Sequence, residues 1–295
     1  MQKQPIFHVR EEAHLLPFLL EKYPGKGRNK VKSLLTRGQV MVGNRVVTRH
    51  DHLLAAGDKV TILQTGSVQG REAMAGVKII YEDESLLVIN KPPRLLSIAT
   101  DEEKERTAYR ILNEYVQERN PRARLFIVHR LDRDTSGLMM FAKSEAVKNQ
   151  LQDHWKDVIL ERSYVALVEG AVEEKQSTIK TWLKESSTKT MYVSQPGDGV
   201  VAITHYQVIE RTSEYSLLAV QLETGRKNQI RVHMQSIGHS VVGDKRYGSR
   251  KNPIARLGLH AQILAFKHPI TGETLRFETK IPNQFQRVLH ENKHS

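Results

Sequence analysis

Short apolar runs dominate the chain from Val77 onward, and they restrict the fold more than any other feature. VKIIYE, SLLVINK, FIVHRL, LMMFAKS, RSYVALVEG and YSLLAVQLE follow in order, each about as long as a strand and rich in β-branched, aromatic or long aliphatic residues. Helical spacing occurs among them in TAYRILNEYVQERN and AVKNQLQDHWKD. The runs are joined by turn-like stretches rather than by regular helical crossovers. The expected fold class is therefore α+β, with a mixed, largely antiparallel sheet and flanking helices. No internal repeat is visible.

The front of the chain reads differently. EEAHLLPFLLEKYP spaces Leu15, Leu16, Phe18, Leu19 and Leu20 along one helical face, and NKVKSLLTRG repeats the period with Val31, Leu34 and Leu35 before Gly38. QVMVGNRVVT and KVTIL then read as short strands, with tight turns at Gly43-Asn44 and in AAGDKV. Lys26, Arg28, Lys30, Lys32 and Arg37 crowd the second helix. Singly, each is an ordinary solvated charge; together they make a cationic face. A basic second helix followed by RGQVMVGNRVV and AAGDKVTIL resembles the S4 RNA-binding domain, with Gly43-Asn44 standing where that family usually has Asn-Gly. The resemblance implies RNA backbone on the second helix, through phosphate contacts that position rather than specify. The polar, Gly-rich QTGSVQGREAMAG lacks periodicity and reads as a linker. The expected organisation is an S4-like domain over 1–68, a linker over 69–76 and a second domain over 77–291.

Charge points the same way. Lys and Arg number 45 against 33 Asp and Glu, and residues 1–70 hold 11 against 5, half of the net +12. Such a surplus concentrates nucleic acid or anionic lipid near the surface. The chain has no cysteine, which excludes disulfides, thiolate metal sites and thiol nucleophiles and suits a reducing compartment, by default the cytosol. MQKQPIFHVREEAH contains no apolar h-region, and no later run approaches the roughly 18 residues of a membrane span. A soluble, unprocessed protein without a membrane partner is expected.

HRLDRDTSG, from His129 to Gly137, puts two acids and two arginines between FIV and LMMFA. A metal pair at Asp132 and Asp134 would face two arginines and lacks helically spaced histidines. An aspartic-protease site would need a second D-T-G-like triplet, and the chain has none. The nucleotide-binding patterns GxxxxGK[ST] and GxGxxG are also missing. Asp134 to Gly137 can close a side-chain-to-backbone turn between strands. Asp132 fits a purely architectural role less well, because Arg130 and Arg133 beside it would hold its carboxylate ionised. An ionised carboxylate at a strand end can act as a nucleophile.

HRLDRDTSGLMMFAKS resembles the signature of RluA-type pseudouridine synthases, HRLD-x-x-T-S-G followed by AK. Four further segments match that family in order: YEDESLLVINKPPRLLSI, RSYVALVEG, ETGRKNQIRVHMQSIGHSVVGDKRYG and LGLHAQILAFKHPITGE, together spanning Tyr81 to Glu273. The resemblance implies isomerisation of uridine already inside RNA. The bond from uracil N1 to ribose C1′ breaks, the base turns and C5 joins C1′, with no cofactor and no metal. Asp132 would trigger cleavage, by adding to the sugar or base or by assisting proton loss from the ribose. Tyr164 matches the tyrosine that stacks on uracil and can move the proton, and Arg231, in QIRVHM and read as a strand residue, matches the basic residue that pairs with the aspartate. Ile230 and Leu259 match apolar walls of the base pocket, and Arg130 matches the residue that helps fill the stack vacated by the flipped base. Read without the family, Tyr164, Ile230 and Leu259 are plain core residues and Arg231 a surface charge. His129 reads as a structural hydrogen-bonding residue rather than an acid or base.

The sequence departs from the family pattern at three points. Asn228 stands at the usual His of TGR-x-H-Q-I-R, Arg94 stands where KP-x-G-L has Gly, and Arg162 replaces the more common Lys two residues before Tyr164. The expected substrate is large-subunit ribosomal RNA, with tRNA the runner-up and a pre-ribosomal particle a further form of substrate. A non-catalytic RNA-binding or ribosome-assembly factor would need none of Asp132, Tyr164 and Arg231, and a nucleosidase-like hydrolase would release free uracil. Deleting residues 1–70 is expected to weaken RNA binding and to flatten its dependence on salt, because several phosphate contacts would be lost. Binding titrations across a salt series measure this; an unchanged slope contradicts the S4 assignment.

Overall fold

The computed structural model describes residues 5–291 except 26, 37–39, 44, 48, 63–73 and 102. By Cα proximity it divides into two units, Met1–Lys78 with Ile98–Leu125, and Ile79–Ser97 with Phe126–Ser295. The expected linker lies largely outside the described residues; Met74, Ala75 and Gly76 form a turn.

In the first unit, strands β1 (Ile6–His8), β2 (Ala13–His14), β3 (Val40–Val42), β4 (Arg45–Val46), β5 (Leu53–Leu54) and β6 (Lys59–Ile62) accompany helices Leu15–Lys22 and Arg28–Thr36. The order β1-β6-β3-β4 makes one small antiparallel sheet, and β2 pairs with β5. Leu15, Leu16, Phe18 and Leu19 from the first helix and Val31 and Leu35 from the second bury against Val40, Leu54, Val60 and Ile62. These are the residues whose helical period is visible in the sequence. Arg28, Lys30 and Lys32 are exposed on the second helix, whereas Lys26 and Arg37 lie outside the described residues. This unit also includes the helix Ala108–Arg119, capped by the Thr107 hydroxyl, which accepts from the Arg110 N–H.

The second unit is organised by one sheet, eleven-stranded among the described residues. Its strands are β7 (Lys78–Glu82), β8 (Leu86–Lys91), β9 (Phe126–Ile127), β10 (Ser136–Ala142), β11 (Ile159–Glu169), β12 (Gln176–Glu185), β13 (Met191–Ser194), β14 (Val200–Arg211), β15 (Tyr215–Leu222), β16 (Leu259–Lys267) and β17 (Thr274–Glu278). The order is β13-β12-β14-β15-β11-β16-β10-β8-β7, with β17 beside β16 and β9 beside β10. β10 pairs with β16 in parallel, through Ser136 opposite His260 and Gly137 opposite Ala261. The pairings of β8 and β9 with β10, of β11 with β15 and β16, of β12 with β13 and β14, of β14 with β15 and of β16 with β17 are antiparallel. The sheet is thus mixed and largely antiparallel, as the sequence implies. Every residue of β10 is buried, which is why its sequence is a continuous apolar run rather than an alternation. Helix Glu145–Asp153, capped by Ser144, packs Val147 and Leu151 against β8, β10 and β16, and helix Asn283–Glu291 packs Phe285, Val288 and Leu289 elsewhere on the sheet. No helix of the described residues is long and apolar enough to cross a membrane.

Two local expectations need correction. The strand before the charged loop is only Phe126–Ile127. The turn after it is closed by the backbone, the Thr135 N–H donating to the Asp132 carbonyl at 3.2 Å, and Ser136 and Gly137 already belong to β10. Gly137 has φ +116, and a Cβ there would overlap the Ala261 carbonyl oxygen. Only glycine lets β10 approach β16 at this point. Gly137→Ala is expected to destabilise the protein by more than ~2 kcal/mol, read as a lower urea midpoint.

Candidate active site

Asp132 sits in the loop between β9 and β10, and the residues on either side of it are tied down from beneath. The Ser97 hydroxyl donates to the Leu131 carbonyl at 2.6 Å and accepts from the Leu131 N–H at 3.2 Å. The fully buried Lys91, at the end of β8, donates from Nζ to the carbonyls of Pro92 at 3.0 Å, Leu95 at 2.7 Å and Arg133 at 3.1 Å. Three donated bonds use all three N–H groups of an ammonium, although burial pushes the Lys91 pKa down to about 7. The Asp132 side chain, 29% exposed, lines the cleft.

Its ionic partner is Arg231, not the neighbouring arginines. Arg231 Nη1 donates to Asp132 Oδ2 at 3.3 Å. Arg133 Nε instead contacts Asp134 at 3.4 Å in an exposed pair, and Arg130 is exposed. Arg231 is also not a strand residue: it lies in the helix Gln229–Ser236. Ile230, Val232 and Met234 alternate with polar residues in the sequence, yet all three are buried in this helix. Asn228, at φ +54, precedes it in the left-handed region, a conformation Asn tolerates better than most residues.

Arg231 is gripped on several sides. Nε and Nη2 donate to Asp244 Oδ2 and Oδ1 at 2.6 and 2.8 Å, a bidentate pair. Nη1 also donates to Asn228 Oδ1 at 3.0 Å. The guanidinium lies 4.8 Å from the centre of the Tyr247 ring, and the Tyr247 hydroxyl accepts from Asn228 Nδ2 at 2.9 Å. Burial alone would lower the Arg231 pKa, but the hydrogen bonds and charge of Asp244, with the charge of Asp132, outweigh it and raise the pKa above its ordinary value.

The cleft is about 390 Å³, within the ~300–1,000 Å³ of small-ligand sites. It brings together Arg130, Asp132, Tyr164, Ile230, Arg231 and Leu259, with Arg162 and Asn228 also at its wall. Tyr164 lies on β11 where the register with β16 shifts: Ser163 faces Ile263 and Tyr164 faces Ala261. Such irregularities re-aim side chains and recur beside active sites. Burial raises the Tyr164 pKa, the Arg162 charge opposes the shift and the Asp132 charge adds to it, so the phenol keeps its proton at neutral pH. His129 Nε2 accepts from the Met140 N–H at 3.1 Å, and burial, then Arg162, push its pKa down to about 3. It is neutral and structural, as the sequence suggests. Among the described residues no cluster of His, Asp or Glu is arranged to hold a metal ion.

Lys91 and Asp244 carry no signal in the sequence beyond their motifs. A lysine ending the apolar run LLVIN, next to two prolines, was the available clue to a buried ammonium.

The fold recurs in known proteins. A family model described as RNA pseudouridylate synthase matches residues 85–236. The uncharacterized RNA pseudouridine synthase YjbO of Bacillus subtilis is 35% identical over 216 residues, covering 73% of this chain and 76% of that protein. Ribosomal large subunit pseudouridine synthase D of Haemophilus influenzae is 30% identical over 288 residues, 92% of this chain and 89% of that protein. Among solved structures, human RNA pseudouridylate synthase domain containing 1 superposes with a TM-score of 0.55 at 27% identity, over 74% of this chain and 86% of that one. Human domain containing 4 shares the fold, with a TM-score of 0.62 at 23% identity over 76% and 95%. The chain belongs to the RNA pseudouridine synthase family of isomerases, and the resemblance drawn from HRLDRDTSG holds.

Asp244→Asn keeps the shape of the support for Arg231 and removes its charge. It is expected to slow single-turnover isomerisation ~10–100-fold while changing RNA affinity by less than about threefold, because Arg231 loses its aim rather than its contact with solvent. Rapid-quench kinetics with a parallel binding titration measure the split.

Proposed function

We propose that this protein isomerises uridine in large-subunit ribosomal RNA, with Asp132 as the catalytic carboxylate. The observation that carries the reading is the Asp132–Arg231 pair, 3.3 Å apart, in a cleft whose walls include Tyr164, Ile230 and Leu259. A uracil entering between those three side chains would be stacked and shielded while its glycosidic bond meets the carboxylate. Asp132 starts the cleavage of N1–C1′, and Arg231 holds it aimed. The base turns within the apolar walls, C5 bonds to C1′, and the proton displaced from C5 leaves the base as N1 regains one. The protonated Tyr164 phenol stacks on the ring. The target base must leave its helix before the carboxylate can reach it, and exposed Arg130 at the cleft's rim occupies the vacated stack.

Ribosomal RNA is favoured over tRNA because the similarity to the Haemophilus influenzae ribosomal large subunit enzyme extends over 92% of this chain, the front unit included. In this reading residues 1–68 act as an S4-like domain. Arg28, Lys30 and Lys32, with Lys26 and Arg37, hold RNA phosphates and contribute affinity more than site choice. A partly assembled ribosomal particle presents the same RNA, and the cytosol is where it would be met.

Wild type and Asp132→Asn, incubated with unmodified ribosomal RNA and separately with tRNA, give the test. Pseudouridine is mapped by carbodiimide-blocked reverse transcription. A stop made only by wild type on ribosomal RNA is expected, with the variant at least ~10³-fold slower. A stop that survives Asp132→Asn would contradict the assignment, free uracil would point to hydrolysis, and a stop confined to tRNA would move the substrate.

A further inference from the structure

A second cleft, of about 550 Å³, opens beside the first and shares Arg130, Asp132, Lys227, Asn228 and Arg231 with it. It continues to Arg94, Arg133, Lys245, Arg246 and Arg256. Among the described residues that line it, eight are Lys or Arg and three are Asp. Those three acids are engaged: Asp244 and Asp132 with Arg231, and Asp134 with Arg133. The wall therefore carries a surplus of positive charge. Apart from Arg130 and Arg231, none of these cations has a part in the isomerisation proposed above.

Arg94 sits in that wall in an unusual backbone state. Its φ is +64, in the left-handed region where a side chain costs conformational energy and glycine does not. Its Nη2 donates to the carbonyl of Ala255, itself at φ +53. Two non-glycine residues in left-handed conformations, joined by one hydrogen bond, fix an arginine over the cleft. Strain of this kind gathers at ligand sites. The neighbouring Arg256 donates to the Ser136 hydroxyl and to the Leu257 and Leu259 carbonyls. Its pKa is pushed down to about 10, by burial first and by the Arg94 charge second. Like charges held this close are relieved by an anion between them.

We propose that the second cleft is a phosphodiester subsite, in which Arg94, with Lys245 and Arg246, holds the backbone phosphate of a nucleotide flanking the target uridine. The proposal rests on the isomerase reading for what occupies the first cleft. A uridine placed against Asp132 must let its chain leave the cleft, and the adjoining space bordered by Arg130, Asp132 and Arg231 is lined by cations. The contact is to backbone, so it supplies affinity and register rather than sequence choice.

Arg94→Gly tests it without threatening the fold, since glycine is at ease at this φ. The probes are a uridine-containing single-stranded oligoribonucleotide for binding and large-subunit ribosomal RNA for product. Thermal stability is expected to stay the same or rise. Affinity for the oligoribonucleotide is expected to fall about threefold to tenfold, and the slope of log K against log salt to become shallower by ~0.7, the share of one phosphate contact on a single strand. The loss should fall on KM, with kcat changing much less, and Arg94→Lys should restore most of the slope. An unchanged slope in Arg94→Gly overturns the subsite whatever the product assay shows. Absence of pseudouridine from the wild type, with the slope still shallower in the variant, overturns the isomerase reading and keeps the phosphate subsite.

Discussion

Arg231 lies between two carboxylates of different exposure, and the geometry of the site follows from how its nitrogens are shared. Asp244 is buried and takes Nε and Nη2; Asp132 is part-exposed and receives only Nη1. A buried carboxylate left without its partner costs ~3–5 kcal/mol, so the Asp244 pair holds Arg231 in place whether or not substrate is present. Asn228 then holds the remaining nitrogen, accepting from the same Nη1 that meets Asp132. In the proposed reaction the part-exposed acid is thus left free to react while its counter-charge stays in place. Preorganisation of this kind lowers a barrier because no reorganisation is needed when charge moves.

Asp132 and Arg231 are 99 residues apart in sequence, and the sheet is what brings them together. β10 leads out of the Asp132 loop and meets β16 in the parallel pairing that Gly137 permits. β16 begins at Leu259, a wall of the cleft, and pairs along its other edge with β11, which carries Tyr164. Ile230 and Met234 sit in the same apolar cluster as Leu259, which seats the helix bearing Arg231. Packing thereby sets the distance between Asp132 and Arg231. Lys91 and Ser97 complete the arrangement, holding the backbone at Arg133 and Leu131 while the residue between them stays at the cleft.

The sheet was legible because its central strands are buried on both faces, which writes runs such as LMMFA directly into the sequence. The residues gathered at the cleft were legible through motifs, since HRLD and QIR hold the proposed carboxylate and its arginine partner within a few positions. The errors have physical causes. QIRVHM alternates like a strand, and only the left-handed Asn228 and the burial of Ile230 and Met234 one turn apart distinguish the helix. Arg130 and Arg133 looked like partners of Asp132 because proximity along the chain was mistaken for proximity in space. The contacts of Asp244 and Lys91 were not legible, although the place of Lys91 at the end of LLVIN hints at its burial. One works through a side chain 13 residues away and the other through three backbone carbonyls, and neither contact leaves a pattern in residue type. Arg94 was visible as a departure from the family pattern, but its positive φ and its bond to Ala255 belong to the folded chain.

If Asp244 acts on the reaction only by holding Arg231, its influence must vanish when Arg231 is removed. A double-mutant cycle on the single-turnover rate measures this most directly, comparing Asp244→Asn in the wild-type and Arg231→Gln backgrounds. The account predicts that in the Arg231→Gln background the exchange slows the reaction less than about twofold, its route to Asp132 having gone. A further fall of ~10–100-fold in that background, equal to the effect in wild type, would mean that Asp244 reaches the reaction by another path and would contradict the account.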